Sequence, residues 1–184
     1  MKGSETMESK TIASTIIKEC PLNCFDIISR AVDLYARRDQ FAYFYGAKGQ
    51  VLTPALIKSL MLSESAYFSQ YTKKQLEDIY NYSVGKIGID CSGYINLLTG
   101  QTNWSTGYWA DSLNKTDPVS GTWGNILYTT FEGTGRHIGI DIGEGRFLHA
   151  PKEMRTIEIG HIRNYPWEGS GQIKGVSYFL AGNK

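Results

Sequence analysis

The chain has little of several features that mark particular classes of protein. Its three cysteines are an odd number, too small for a disulfide framework. The 19 Lys and Arg residues nearly balance the 18 Asp and Glu residues, so no excess of charge points to nucleic acid or to a cationic partner. No apolar run approaches the roughly 20 residues of a transmembrane segment. At 184 residues, the chain fits one ordinary globular domain with a sizeable core.

The N-terminal residues also lack the features of a secretory signal. Such a signal needs a basic start, a longer apolar stretch than residues 11–17, and a cleavage site with small residues. We therefore expect the chain to be cytoplasmic as synthesised. We expect residues 1–12 to be a disordered end and residues 13–184 to form a single domain.

Cys20 and Cys24 have the spacing of half a metal site. Zinc needs four ligands in tetrahedral geometry, and the sequence has no second cysteine pair to complete them. We interpret both as buried structural thiols, and we expect neither a metal nor an organic cofactor.

Helical periodicity dominates the first half of the chain, and strand periodicity dominates the second. Residues 26–39, 55–62 and 73–82 place apolar side chains at helical spacing, and a short apolar helix follows residue 91. Residues 99–124 indicate a long loop with one short helix. Alternation with a period of two then predicts strands around Ile126, Ile138–Ile142, Phe147–His149, Ile157–Ile159 and Val176–Leu180. This order predicts an α+β fold, with N-terminal helices packed on a C-terminal antiparallel β-sheet.

Cys91 stands immediately before the short apolar helix. A sulfur at a helix N-terminus is favoured as the thiolate, and nearby backbone N–H groups can hold an oxyanion. The alternative is a helix start, capped by Asp90 or Ser92, that contains a buried structural cysteine.

Two of the three histidines lie on one predicted β-hairpin. His137 begins one strand and His149 ends the next, so both imidazoles reach the same edge. A thiol nucleophile needs a base, and the base needs a group that fixes its tautomer. The alternative is that each histidine is an ordinary polar residue at a strand end. We interpret His161 as structural.

Three segments carry a family resemblance. They are Asp90-Cys91-Ser92-Gly93 at a helix start, His-Ile-Gly-Ile-Asp-Ile-Gly from His137, and Phe-Leu-His-Ala ending at Ala150. An upstream segment, Phe-Ala-Tyr-Phe-Tyr-Gly over residues 41–46, resembles the tyrosine motif that precedes the cysteine. Over about residues 26–150, the chain resembles the NlpC/p60-type cell-wall peptidases, a branch of the papain-like cysteine peptidases.

The resemblance implies a papain-like core and a Cys-His-His site. Cys91 would attack, His137 would act as the base, and His149 would orient it. The substrate would be the stem peptide of peptidoglycan, cut after D-glutamate as in a cell-wall D,L-endopeptidase.

The resemblance also implies substrate-binding residues. Tyr43 is a candidate contact for the oxyanion or the substrate, and Asp90 and Ser92 would meet the free amine of a stem peptide. A purely structural role for Asp90, as the helix cap, is an equal alternative.

Two departures from the family pattern border the expected cleft. Gly46 and Cys91 are 45 positions apart, and the inserted helical segment, about 47–85, resembles that of a phage-associated or mobile-element subgroup. Asn125 stands where the family has aspartate. Two other functions therefore remain open: an acyltransferase or deamidase on the same thiol scaffold, and an inactive wall-binding or phage structural module.

Without a signal peptide, we expect the protein to reach the wall by lysis, in a virion or by non-classical export.

Four aromatic residues lie in the central loop: Trp104, Tyr108, Trp109 and Trp123. They are candidates for a sugar- or peptide-binding groove, but we favour a place in the core. The sequence does not indicate an oligomeric state.

Overall fold

Two helices begin the chain. The computed structural model describes residues 2–116, 122–130 and 136–173. Helix α1 spans Lys2–Glu19, so it extends through most of the segment for which we predicted disorder. Its C-terminal half is held because Ala13 and Ile16 are buried in the main core, and a helix anchored at one end propagates at little cost. After a short 3₁₀ turn at Leu22–Cys24, helix α2 spans Phe25–Ala36.

A small sheet and three helices follow. A 3₁₀ turn at Arg38–Gln40 leads into strand β1 (Phe41–Tyr43), strand β2 (Lys48–Val51), helix α3 (Pro54–Ser63), helix α4 (Ser65–Phe68), helix α5 (Lys73–Ser83) and strand β3 (Ile87–Ile89). Thr53 caps α3, with Pro54 in its first turn. Strand β3 lies between β1, to which it is parallel, and β2, to which it is antiparallel. The sequence patterns did not predict this sheet.

The second half of the chain forms the main sheet. Helix α6 (Cys91–Thr99) and helix α7 (Thr106–Ser112) precede strands β4 (Leu113–Thr116), β5 (Ile126–Thr129), β6 (His137–Asp141), β7 (Arg146–His149), β8 (Glu158–His161) and β9 (Gly169–Ile173). A 3₁₀ turn, Ile162–Asn164, follows β8. The strand order is β4-β9-β5-β6-β7-β8, and every described pairing is antiparallel. The predicted α+β class is confirmed. The strand predicted at Val176–Leu180 lies outside the described residues.

Two apolar cores hold these elements together. In the larger one, Tyr94, Ile95 and Leu98 of α6 pack with α1, α2 and the inner face of the main sheet. The smaller core lies under the inserted helices and includes Ile57 and Phe68. Because α6 is buried on nearly all sides, its N-terminus is held in a fixed position against both sheets. Among the helices that the structure describes, none has the length and hydropathy needed to cross a lipid bilayer.

Candidate active site

Cys91 is the first residue of α6 and lines a cleft of about 650 Å³. Asp90 caps the helix, because its Oδ1 accepts a hydrogen bond of 2.6 Å from the backbone N–H of Gly93. A Cβ at Gly93 would lie 2.5 Å from the carbonyl oxygen of Ala47. Only glycine lets the helix start pack this closely against the backbone before β2, which holds the sulfur at the cleft wall.

The two histidines of the β6–β7 hairpin meet at the same cleft. His137 Nε2 and His149 Nδ1 are 2.6 Å apart, and the rings are inclined by 80°. His137 lines the cleft together with Cys91, whereas His149 lies behind it and is 2% exposed. The contact uses Nε2 of His137, which leaves Nδ1 for a partner other than His149. The structure therefore brings Cys91 and His137 to one cleft with His149 behind His137, and their catalytic roles stay a prediction.

The sulfur of Cys91 lies close to two oxygen atoms from other parts of the chain. Its Sγ lies 3.8 Å from Thr106 Oγ1 and 4.0 Å from the carbonyl oxygen of Arg136. Neither contact is to the imidazole of His137.

Burial controls the protonation of both groups. It raises the pKa of the Cys91 thiol to about 12, with the charge of Asp90 as the second cause, while hydrogen bonds and Lys48 oppose the rise. Burial also lowers the pKa of His137 to about 4. Burial therefore opposes the helix N-terminus, which we expected to favour the thiolate. It favours the neutral forms of both the thiol and the imidazole.

Tyr43 lines the same cleft from the end of β1 and is almost fully buried. Burial raises its pKa well above the usual 10, and the neighbouring Cys91 adds to the rise. The phenol therefore keeps its proton at neutral pH and is a hydrogen-bond donor beside the thiol.

Asp90 and Ser92 also line the cleft, and there they contact a residue that the sequence motifs do not include. Lys48 Nζ lies 2.5 Å from Asp90 Oδ2 and 2.6 Å from Ser92 Oγ. The Ser92 hydroxyl in turn donates to Asp90 Oδ1 at 3.0 Å. Lys48 lies outside every recognised motif, so only the pairing of β2 with β3 brings it to Asp90.

An aromatic wall surrounds the histidine pair. The rings of Tyr165 and Trp167 each lie 5.8 Å from the ring of His137, nearly parallel to it. The Tyr165 hydroxyl is 3.5 Å from Nε2 of His149. Across the cleft, Tyr45 stacks on Tyr67 with ring centroids 3.8 Å apart. The sequence predicted neither the Tyr165–Trp167 wall nor the partner of Tyr45, since each contact joins distant segments.

The four loop aromatics that were candidates for a binding groove do not line this cleft. Trp104, Tyr108, Trp109 and Trp123 are not among its lining residues. Trp109 is fully buried, as predicted, and its Nε1 donates to Asn96 Oδ1 at 2.9 Å. Tyr108 is 56% exposed, so the predicted place in the core was wrong for this residue.

Cys20 and Cys24 are free, with sulfurs 3.7 Å apart. In residues 2–116, 122–130 and 136–173, no cluster of three or more Cys, His, Asp or Glu residues is arranged to hold a metal ion.

A comparison with protein families identifies the class. The model of the NlpC/P60 family matches residues 77–171, which is more than half of the chain and includes Cys91, His137 and His149. The chain belongs to the NlpC/P60 family.

One curated protein and two solved structures are similar to the chain. Over 86 residues the chain is 33% identical to the probable peptidoglycan endopeptidase LytE of Bacillus subtilis, a match that covers 44% of this chain and 25% of LytE. The structure of the peptidoglycan hydrolase RipB of Mycobacterium tuberculosis covers 88% of the chain, with a TM-score of 0.50, 16% identity and 66% of that chain covered. NlpC2 of Trichomonas vaginalis covers 80%, with a TM-score of 0.51, 14% identity and 47% of that chain covered. These two likenesses show the shared fold.

Proposed function

We propose that the protein is a cysteine hydrolase that cuts an amide bond in the stem peptides of peptidoglycan. The observation that carries the proposal is the arrangement of Cys91 and His137 on one cleft, with His149 2.6 Å behind His137. Membership of the NlpC/P60 family and the relative named as a probable peptidoglycan endopeptidase support the substrate class.

The first half of the reaction forms an acyl-enzyme. The Cys91 thiol gives its proton to Nδ1 of His137 as its sulfur attacks the carbonyl carbon of the scissile amide. His149, at Nε2 of His137, fixes the accepting tautomer and stabilises the imidazolium. When the tetrahedral intermediate collapses, the C–N bond breaks and the imidazolium returns the proton to the leaving amine.

The second half releases the product. A water molecule gives a proton to neutral His137, and the oxygen of that water attacks the thioester carbonyl carbon. The C–S bond breaks, the peptide leaves with a new carboxyl group, and the sulfur recovers a proton.

The cleft offers donors for the oxyanion of both steps. The first turn of α6 has backbone N–H groups without helical partners, beside the sulfur of Cys91. The protonated hydroxyl of Tyr43 is a second donor on the cleft wall.

The bond that we propose is the one after D-glutamate, as in a D,L-endopeptidase. The test is mass spectrometry of defined muropeptides after incubation with the protein. We expect a disaccharide-dipeptide and the released C-terminal fragment. A muropeptide that already ends at D-glutamate lacks this bond and should keep its mass.

Other products would change the assignment. Cleavage elsewhere would show that the bond is wrong, and a fragment joined to an added amine would show an acyltransferase. Unchanged masses of every muropeptide after incubation with the folded protein would favour an inactive wall-binding module.

A further inference from the structure

Lys48 places a positive charge inside the cleft. It begins β2, where Lys48 is paired with Ile89, the residue before Asp90. Its side chain is 18% exposed, and its ammonium contacts Asp90 Oδ2 at 2.5 Å and Ser92 Oγ at 2.6 Å. Because strand pairing fixes its backbone, Lys48 is positioned over this acidic site in the folded chain.

The bonds to Asp90 leave no place for a second cation. Its Oδ1 accepts from Gly93 N at 2.6 Å and from Ser92 Oγ at 3.0 Å, and its Oδ2 accepts from Lys48 and from Gly46 N at 3.3 Å. The carboxylate is thus bonded at both oxygens and neutralised by the chain's own ammonium.

Glu64 and Arg136 are the other charged lining residues of the cleft, and they carry opposite charges. At Asp90, an ammonium group on a ligand would have to displace Lys48 or lie next to it, and like charges in a partly buried site repel. A neutral acyl group meets no such cost. Its carbonyl oxygen can accept the third N–H of Lys48, for which the described residues supply no other partner.

We propose that Lys48 determines substrate specificity: it selects peptides whose amino end is acylated, as in a stem peptide still attached to glycan, against peptides with a free amino end. The proposal rests on the proposed function for the identity of the substrate. It replaces the expectation that Asp90 and Ser92 bind the free amine of a stem peptide, because Lys48 already occupies both. Lys48 lies outside the region matched by the family model, residues 77–171, so this feature belongs to the upstream part of this chain.

The test compares one stem peptide with its N-acetylated form. For the wild-type chain we expect a kcat/KM about tenfold or more higher for the acetylated peptide, the size of one charge-assisted hydrogen bond. Lys48→Met should reverse the preference, because the vacated carboxylate of Asp90 then attracts the peptide ammonium. Lys48→Arg keeps the charge and should keep the preference. Lys58→Met, at an exposed position of α3, is the matched control and should behave as wild type.

Binding separates this proposal from the proposed function. Both peptides are titrated calorimetrically into Cys91→Ala, with and without Lys48→Met. If neither peptide is hydrolysed by wild type but the acetylated one binds more tightly in a Lys48-dependent way, hydrolysis is wrong and the specificity stands. Equal or tighter binding of the free-amine peptide to the chain with Lys48, or binding of neither peptide, overturns the role of Lys48. If Lys48→Met does not fold, the proposal is tested by the other two proteins. Wild type and Lys48→Arg should both prefer the acetylated peptide, and loss of this preference in either would overturn the role of Lys48.

Discussion

Two effects act in opposite directions on the thiol of Cys91. The helix N-terminus favours the thiolate by about 0.3–1 kcal/mol, whereas full burial shifts a pKa by several units toward the neutral form. In this cleft burial is the larger effect, and it raises the pKa of Cys91 to about 12. We infer that the nucleophile forms only when His137 accepts the proton during attack.

The pH dependence of turnover follows from these protonation states. In the proposed mechanism, the active form has a neutral His137, whose pKa is lowered to about 4, and a protonated Cys91. As pH falls, activity should be lost near pH 4, where the imidazole takes up a proton. It should stay level from about pH 7 to about pH 9. The measurement is kcat/KM across pH, and a decline within that alkaline interval would indicate a resting thiolate–imidazolium pair instead.

Replacing the two histidines should have unequal effects. His137→Ala should reduce turnover nearly as much as loss of Cys91, because the proton then has no acceptor. His149→Ala should reduce it less, and His149→Gln less still, because an amide oxygen can accept the N–H of His137. The assay is turnover of one defined muropeptide, with circular dichroism to confirm folding. If folded His149→Gln were as inactive as His137→Ala, the two roles would be reversed.

Single residues of the site differed in how far the sequence predicted them. Cys91, His137 and His149 were predicted because each stands in a local pattern, a helix start or a hairpin end. Lys48, Thr106 and Tyr165 were not, since their approach to the site depends on how separate elements pack.

At the scale of elements, the β6–β7 hairpin brings the histidines together. Ile140 lies opposite Leu148, so His149 faces Gly139 and stands one diagonal step from His137 on the same face of the sheet. A shift of one residue would put the rings on opposite faces. This register was predictable, because the alternation of apolar residues and the glycine-bearing turn both specify it.

The small sheet was harder to predict. Strands β1 and β3 have three residues each, too few for alternation to be visible, and they pair in parallel across the inserted helices. Strand β9 begins Gly-Ser-Gly, which lacks apolar alternation. These segments form strands because they pair with segments distant in the sequence, and no local pattern of residues predicts such pairing.

Glu153 links the inserted helical segment to the loop that follows β7 of the main sheet. This buried carboxylate follows β7, and its Oε2 accepts hydrogen bonds from Tyr67 at 2.7 Å and Tyr71 at 2.8 Å. Glu153→Ala should lower the free energy of unfolding by about 1–3 kcal/mol, since the two hydroxyls lose their shared acceptor and keep only their 3.3 Å contact with each other. Chemical denaturation measures it. Glu77→Ala, at an exposed position of α5, is the control, and equal effects of the two would contradict this linking role.

For the whole molecule, the buried histidines make stability depend on pH. Burial lowers the pKa of His137 to about 4 and that of His149 to about 3, from 6.5. Below pH 6.5 the unfolded chain binds protons that the folded chain excludes, so stability is lost as pH falls toward 4. Burial raises the pKa of Asp141 to about 6, so this carboxyl group makes the folded chain more stable as the pH falls below 6. The two histidines together outweigh this single group.

Thermal unfolding at two pH values tests this dependence. Between about pH 7 and about pH 5, wild type should lose more stability than His149→Gln, by on the order of 1–2 kcal/mol. The variant lacks one of the two imidazoles that charge on unfolding. An equal loss in both proteins would show that His149 is not held neutral by the fold.

The central claim is that Cys91 is the nucleophile of an amide hydrolase. Its most direct test is turnover of a defined muropeptide by Cys91→Ala beside Cys20→Ala and Cys24→Ala, each confirmed as folded. We predict no turnover for Cys91→Ala and nearly full turnover for the other two, whose sulfurs lie 3.7 Å apart and do not line the cleft. Cleavage of the muropeptide by folded Cys91→Ala would contradict the account.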